Sequence, residues 1–323
     1  MINFLTLGSK TFPTNVIQGP LAGFTSSPLR YLIWKYSNPA FTCTEMISCK
    51  ALCQQPKVSL TRYLDKHPNE GPLCVQLFGS NPEELVHATK IVTDLGADLI
   101  DLNCGCPVRK VRSQGTGSAL LKQPLKIYHL IQAMRNSTHL PISIKIRVDG
   151  NSNDKLNGEI ATIASESGLD FLVVHGRHWT ENYGTPVHYE QIQYFVETLK
   201  IPVIGNGNIS CVNSLQTMLN TGCAGAMIGR AGIGQPWLIG KLIAERQNKK
   251  FSMPSQQEIS EAFIEQVELL MKLFESEKFA VMHARKLASA YARGLPQRSD
   301  FSAKINRCEN LKDLKIICRE YFI

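Results

Sequence analysis

Residues 98–111, DLIDLNCGCPVRKV, place Cys104 and Cys106 one residue apart, with Pro107 directly behind and Arg109, Lys110 and Arg112 following. Three chemistries suit a C-x-C pair: metal ligation, a disulfide bridge, or a thiol acting as acid or nucleophile. A tetrahedral zinc site needs four ligands at favourable spacing, and the nearest histidines in sequence are His87 and His129. A bridge across one residue is strained, and a reducing cytosol opposes it. No metal is therefore expected. The preferred reading is a mobile loop, NCGCPVRKVRSQGTGSALL, that carries a reactive thiol over a bound ligand, with Gly105, Gly115 and Gly117 allowing movement. Metal and bridge stay open as weaker alternatives.

Other reactive or ligand-binding side chains recur at equivalent places. Gln76, Asn103, the pair Lys145 and Arg147, and the pair His175 and Arg177 lie in or just behind short apolar runs. GNGNI (205–209) and IGR (228–230) follow two more. One polar group at a strand end is commonly a satisfied structural residue; six such placements point to a shared site. Gly205, Gly207 and Gly229 let backbone N–H groups approach a phosphate, and Arg230 supplies the neutralising charge. In the bland reading the same glycines only make tight turns. No G-x-G-x-x-G follows the first strand, which argues against a Rossmann dinucleotide site.

These groups must be positioned by eight apolar runs, near Val16, Cys43, Val75, Ile100, Ile144, Val173, Val203 and Met227, with helical patterns between them. Such continuous hydrophobicity suits parallel strands covered on both faces, and the βαβ rhythm predicts an α/β fold, a closed (β/α)8 TIM barrel. A doubly wound open sheet is the alternative. NPEELVHATKIVTDLG shows how a connecting helix is specified, with acidic residues in its first turn and Gly96 after its last. Barrel active sites form at the carboxyl ends of the strands, where the polar residues fall. AERQNKKFSMPSQQE is polar and contains Pro254, and beyond it the patterns are helical only. The division expected is a barrel catalytic domain over 1–248 and a small all-helical domain over 249–323.

The chain of 323 residues is 43% hydrophobic and 19% charged, which fits a globular protein and leaves no room for a largely disordered one. No signal peptide or membrane span is read, so a cytoplasmic monomer with its ten cysteines reduced is expected. A net charge of +8 suggests a polyanionic partner. From Lys278 onward ten Lys/Arg face four Asp/Glu, whereas 251–277 holds one Lys against six Glu. The C-terminal region is thus strongly polarised, as a binding face or an ordinary solvated surface would be.

PLAGFTSSPLR, TEMIS, VQLFGSNPEEL, DLNCGCPVRKV, GSALL, IKIR, VHGR, PVIGNGNI and MIGRAGIGQPW occur in an order and at spacings that resemble the successive motifs of the tRNA-dihydrouridine synthases. The resemblance runs from about Val16 to the final helices, and HARKLASAYARGLP is most similar to the bacterial B subgroup. It implies FMN on the barrel, NADPH as reductant, and reduction of the uracil C5–C6 double bond in tRNA to 5,6-dihydrouridine. Pro20, Leu21 and Ala22 match the family's loop beneath the flavin, and Gln76, Lys145 and His175 match residues that contact its ring. Asn206, Gly207, Asn208, Gly229 and Arg230 match those nearest the ribityl phosphate. Cys106 matches the general acid, while Cys104 takes a position usually held by an apolar residue and is read as packing. Two departures stand out. Ser26 follows Thr25 where an acidic residue is usual, and His178-Trp179 follows HGR where Thr-Arg is frequent, which exchanges a cation near the RNA entrance for an aromatic surface.

The chemistry suits the residues. A thiol opposite the flavin can protonate uracil C5 as hydride reaches C6, provided Cys106 is protonated at that moment, while Lys145 and Arg147 stabilise developing negative charge. Asn103, Arg147 and Arg177 at the strand ends, Arg109 and Lys110 on the loop, and Lys286, Arg293 and Arg298 near the C-terminus are candidates for holding the substrate. Phosphate contacts by these basic residues make binding salt-sensitive, and ordinary solvation is their bland alternative. Two rival functions are an FMN-barrel reductase of a small pyrimidine or enoate, which leaves the helical domain unexplained, and a non-catalytic tRNA-binding module.

Overall fold

The computed structural model describes residues 3–54, 57–151 and 155–322. A short antiparallel hairpin, β1 (Leu5–Leu7) and β2 (Lys10–Phe12), comes first. The sequence reading missed it, because three-residue strands give no periodic run to detect. The barrel strands are β3 (Val16–Gln18), β4 (Thr42–Cys43), β6 (Leu73–Phe78), β7 (Leu99–Asn103), β8 (Ile142–Arg147), β9 (Phe171–His175), β10 (Val203–Asn206) and β11 (Gly225–Ile228). All pair in parallel, and the ring closes through β11 on β3 and β4 on β6. The expected eight-stranded barrel is what forms.

The second barrel strand differs from its expected extent. Residues 44–46 break it, and β5 (Ile47–Ser48) resumes the pairing against Leu77 and Phe78 of β6. At the break Thr44 Oγ1, rather than a backbone carbonyl, accepts from Gln76 N at 3.0 Å.

Helices α1 (Ser27–Tyr36), α2 (Cys49–Gln54), α3 (Lys57–Leu64), α4 (Pro82–Asp94), α5 (Arg109–Arg112), α6 (Pro124–Arg135), α7 (Leu156–Glu166), α8 (Tyr189–Thr198), α9 (Val212–Leu219) and α10 (Leu238–Arg246) lie in the connections and after the last strand. Helix α4 is specified locally: Asn81 accepts from Glu83 N and Glu84 N, Pro82 fills the first turn, and Gly96 beyond the last turn has a left-handed φ of 82°. Outward strand residues such as Val75, Ile100, Ile144 and Val174 share one core with the helices.

Inside the barrel a second gradient governs function. At the amino end Cys74, Leu99, Phe171, Val173 and Ile204 pack with Leu5, Leu7 and Phe12 of the hairpin into an apolar floor. Toward the carboxyl end the inward positions become Gln76, Asp101, Asn103, Lys145, Arg147, His175 and Asn206. Two-residue alternation along β6 to β10 thus stacks polar groups on a hydrophobic plug.

After Pro254, Ser255 and Glu258 form a capping box that starts α11 (Gln256–Phe274), and α12 (Glu277–Tyr291), α13 (Arg298–Arg307) and α14 (Leu311–Tyr321) follow. Phe263, Leu270, Tyr291 and Phe301 centre their core, which also takes Trp237 from the loop after β11. Gly234 in that loop touches α12 so closely that a Cβ would lie 2.5 Å from the Ala290 carbonyl carbon. Among the described residues no helix is long and apolar enough to cross a membrane.

Candidate active site

A cavity of about 800 Å³ opens above the polar ring, within the size range of cofactor sites. Its floor is a connected set of hydrogen bonds. Ser143 Oγ donates to Asp101 Oδ1 (2.6 Å) and Gln76 Nε2 donates to Asp101 Oδ2 (2.7 Å). Asn103 Nδ2 donates to Gln76 Oε1 (2.9 Å), and Asn103 Oδ1 accepts from Cys106 N (2.9 Å) and Gly105 N (3.2 Å). On the other side Lys145 Nζ donates to Asn206 Oδ1 (2.9 Å), and Asn206 Nδ2 to Met227 O (2.8 Å).

Burial sets the protonation of this ring. It pushes Asp101 up to about 6 and Lys145 down to about 8, so Lys145 remains cationic at neutral pH. Burial, with the cations Lys145, Arg147, Arg177 and Arg230, holds His175 well below its ordinary value. Arg177 Nη1 lies 3.3 Å from His175 Nε2, which makes that nitrogen the acceptor of a neutral ring.

The two cysteines part company. Cys104 is fully buried in the core between strands and helices, where burial holds its thiol well above the ordinary range. Cys106 lines the cavity. Both are free thiols. Among the described residues no group of three or more His, Cys, Asp or Glu side chains is arranged to hold a metal ion.

The loop glycines serve close contact as well as conformation. Gly117 has a left-handed φ of 59°, and a Cβ there would sit 2.8 Å from Cys106 O. Ser118 N donates to that same carbonyl at 3.0 Å, and Arg147 Nε donates to Gly105 O at 3.0 Å. In the structure the carbonyls of Gly105 and of Cys106 itself are therefore both hydrogen-bonded.

On the opposite wall Pro20, Leu21 and Ala22 line the cavity. Their loop is held by Thr25, whose hydroxyl accepts from Leu21 N (3.0 Å), and by Gly23 N, which donates to Glu45. Burial raises the Glu45 carboxyl. At the third side Gly207 (φ 145°) and Asn208 (φ 48°) depart from ordinary backbone so that the turn after β10 faces the cavity. A Cβ on Gly229 would meet nothing within 4 Å, which leaves backbone open to the cavity beside Arg230. Sequence reading missed Tyr183, whose ring lies 3.5 Å beneath the Arg230 guanidinium and stacks toward His175. Its only sequence signal was a position eight residues beyond His175.

The remaining candidates fall into two groups. Asn103, Arg147 and Arg177 line the cavity, yet their polar atoms are largely spent on protein. Arg147 Nη1 also donates to His178 O (3.0 Å), while Arg177 is buried and donates to Thr185 O (2.7 Å) and Tyr183 O (3.2 Å). Arg109, Lys110, Lys286, Arg293 and Arg298 lie outside the cavity and are exposed. Lys286 shares a helix face with exposed Phe279 and Met282 at helical spacing, and Arg293 continues that line past the end of α12. Arg298 Nε donates to Ser289 Oγ (3.1 Å). The aromatic surface expected of Trp179 is covered on one face: the Arg112 guanidinium lies 3.6 Å from its ring centroid.

A family model described as dihydrouridine synthase matches residues 17–323. The chain is 32% identical over 320 residues to a tRNA-dihydrouridine synthase B of Xanthomonas campestris, covering 98% of this chain and 96% of that protein. It is 30% identical over 304 residues to a probable tRNA-dihydrouridine synthase of Rickettsia conorii, covering 94% and 91%. Among solved structures, morphinone reductase superposes with a TM-score of 0.57 at 13% identity, covering 80% of this chain and 92% of that one, a likeness of fold.

Proposed function

The chain belongs to the dihydrouridine synthase family, and from that premise we propose that it reduces the C5–C6 double bond of a uridine in tRNA to 5,6-dihydrouridine, with FMN as cofactor and NADPH as reductant. The observation that carries the reading is a thiol, Cys106, at the rim of a cavity whose floor holds Gln76, Lys145 and His175 and whose wall holds Arg230.

The residues fit a flavin mononucleotide in chemistry and in room. Cationic Lys145 and the neutral His175 ring offer polar partners to an isoalloxazine edge, and Gln76 joins them from β6, on the other side of β7. Pro20, Leu21 and Ala22 give an apolar bed. Asn206, Gly207, Asn208, Gly229 and Arg230 form the anion-accepting side, where open backbone and a guanidinium suit a phosphate. When bound, the flavin supplies the hydride that reduces the uracil ring.

The chain does the rest. Cys106 delivers a proton to C5 as negative charge builds there and on O4. Lys145 and Arg147 stabilise the developing negative charge. Asn103 and Arg177 act mainly by holding the walls, since their donors and acceptors engage Gln76, Gly105, Cys106, Tyr183 and Thr185, while Arg147 also braces Gly105 and His178 through Nε and Nη1. The helices over 249–323, with Lys286, Arg293 and Arg298, and the loop residues Arg109 and Lys110 grip the phosphate backbone, while the target base leaves its stack to enter the cavity. The protein works as a cytoplasmic monomer.

Mass spectrometry of tRNA before and after treatment with protein, FMN and NADPH tests the reaction. A gain of two hydrogens mapped to one fragment is expected. Unchanged tRNA alongside reduction of a free pyrimidine or enone would replace this reading with that of a small-molecule reductase.

A further inference from the structure

Asp101 lies on the inward face of β7, 4% exposed, beneath the cavity floor. An ionised carboxylate only accepts hydrogen bonds, so its contact with Gln76 Nε2 (2.7 Å) obliges the Gln76 amide to point its NH2 inward and Oε1 outward. Oε1 then accepts from Asn103 Nδ2 (2.9 Å), which turns Asn103 Oδ1 toward the cysteine loop. There it accepts from Cys106 N (2.9 Å) and Gly105 N (3.2 Å). Flipping either amide would set donor against donor at one end of the chain and acceptor against acceptor at the other. The mismatches at Asp101–Gln76 and Gln76–Asn103 are buried and therefore expensive, and the one at the cysteine loop is part-buried.

We propose that Asp101 is a positioning residue: its carboxylate fixes the amide orientations of Gln76 and Asn103 and through them holds the backbone of the proton-donating Cys106 in place. The inference rests on the role given to Cys106 above. Asp101 touches neither the cavity nor the thiol; it acts through two amides. Ser143, whose hydroxyl donates to the other carboxylate oxygen at 2.6 Å, completes the anchor and gives the idea a sharp consequence. A hydroxyl can accept as well as donate. An asparagine at 101 can therefore point its NH2 at Ser143 and still present oxygen to Gln76, whereas an apolar residue gives Gln76 no instruction.

The test is amide hydrogen exchange over residues 103–108 in the full-length protein. Asp101→Asn is expected to exchange at Gly105 and Cys106 within about threefold of the parent. Asp101→Leu should exchange there about tenfold to a hundredfold faster, the loss of one part-buried hydrogen bond at each amide, with β9 and α11 unchanged. Should Asp101→Leu fail to fold, Gln76→Met breaks the next link and should release the same two amides. Unaltered protection of Gly105 and Cys106 in the folded apolar variants, or an Asp101→Asn loop as open as the Leu one, would overturn the proposal. In single-turnover reduction, Asp101→Asn should keep most of the parent rate and Gln76→Met should lose it. If Cys106→Ala proves fully active while exchange still follows Asp101, the role of the thiol fails and the positioning chain stands.

Discussion

Replacing Arg30 by Met should destabilise the protein by about 3–5 kcal/mol, because it strands a carboxylate in the interior. The Arg30 and Glu70 side chains are both 0% exposed and pair through Nε and Oε2 at 2.9 Å. Arg30 Nη2 reaches Glu70 Oε1 at 3.3 Å and also donates to Asp65 O, and Nη1 donates to Thr25 O at 2.9 Å. Without the guanidinium, Glu70 keeps the His67 N–H at 2.9 Å but loses its counter-charge. Two carbonyls lose donors as well, so the upper part of the range is expected. The double variant Arg30→Met/Glu70→Leu removes the stranded charge and should recover about 1–4 kcal/mol of the loss. The effect reaches the site, since Thr25 anchors the loop carrying Pro20, Leu21 and Ala22. The assay is urea unfolding followed by intrinsic fluorescence, with flavin retention measured on the same samples. A single variant within about 1 kcal/mol of the parent, or a double variant no better than the single, would refute the reasoning.

Arg230→Ala should weaken FMN retention, measured by dialysis and absorbance, and equal retention would move the phosphate elsewhere. The triple change of Lys286, Arg293 and Arg298 to Ala should weaken tRNA binding and reduce the steepness of its salt dependence, whereas unchanged affinity across a salt series assigns those charges to solvation. For Asp101, held at about 6 against an ordinary 3.8, the native state keeps a proton that the unfolded chain has released between those values. Its contribution to stability is thus full below about pH 4 and lost as pH rises through 6. The stability of Asp101→Asn relative to the parent should accordingly increase from pH 4 to pH 7, by up to about 3 kcal/mol, and a flat difference in denaturant titrations would contradict the burial argument.

The barrel was legible because its eight strands announce themselves as short, mostly apolar runs, and the strand-end polar residues were legible because they interrupt or follow those runs. Fifteen of the predicted site residues line one cavity, some predicted from their place at strand ends and others, such as Pro20, Leu21 and Ala22, only from the family resemblance. What stayed hidden was pairwise. Asp101 reads as one of two aspartates in DLIDLN, and only the register of β6 beside β7 brings it to Gln76. Tyr183 gains its meaning from Arg230, 47 positions away, which no local pattern reports. Trp179 promised an open aromatic face, but Arg112 from the cysteine loop lies on it. Gly117 also has the Cys106 carbonyl as its close neighbour, a contact that only the folded loop creates.

The most direct test of the account compares Cys106→Ala and Cys104→Ala in single-turnover reduction of tRNA with the flavin already reduced, so that the NADPH step drops out. Cys106→Ala should bind flavin and tRNA as the parent does and reduce uridine about a hundredfold to ten-thousandfold more slowly, the usual range for general acid catalysis. Cys104→Ala, a truncation inside the core, should lose a little stability and keep its rate. A Cys106→Ala variant as fast as the parent, or a Cys104→Ala variant that alone is crippled with its fold intact, would place the proton donor elsewhere and contradict the mechanism.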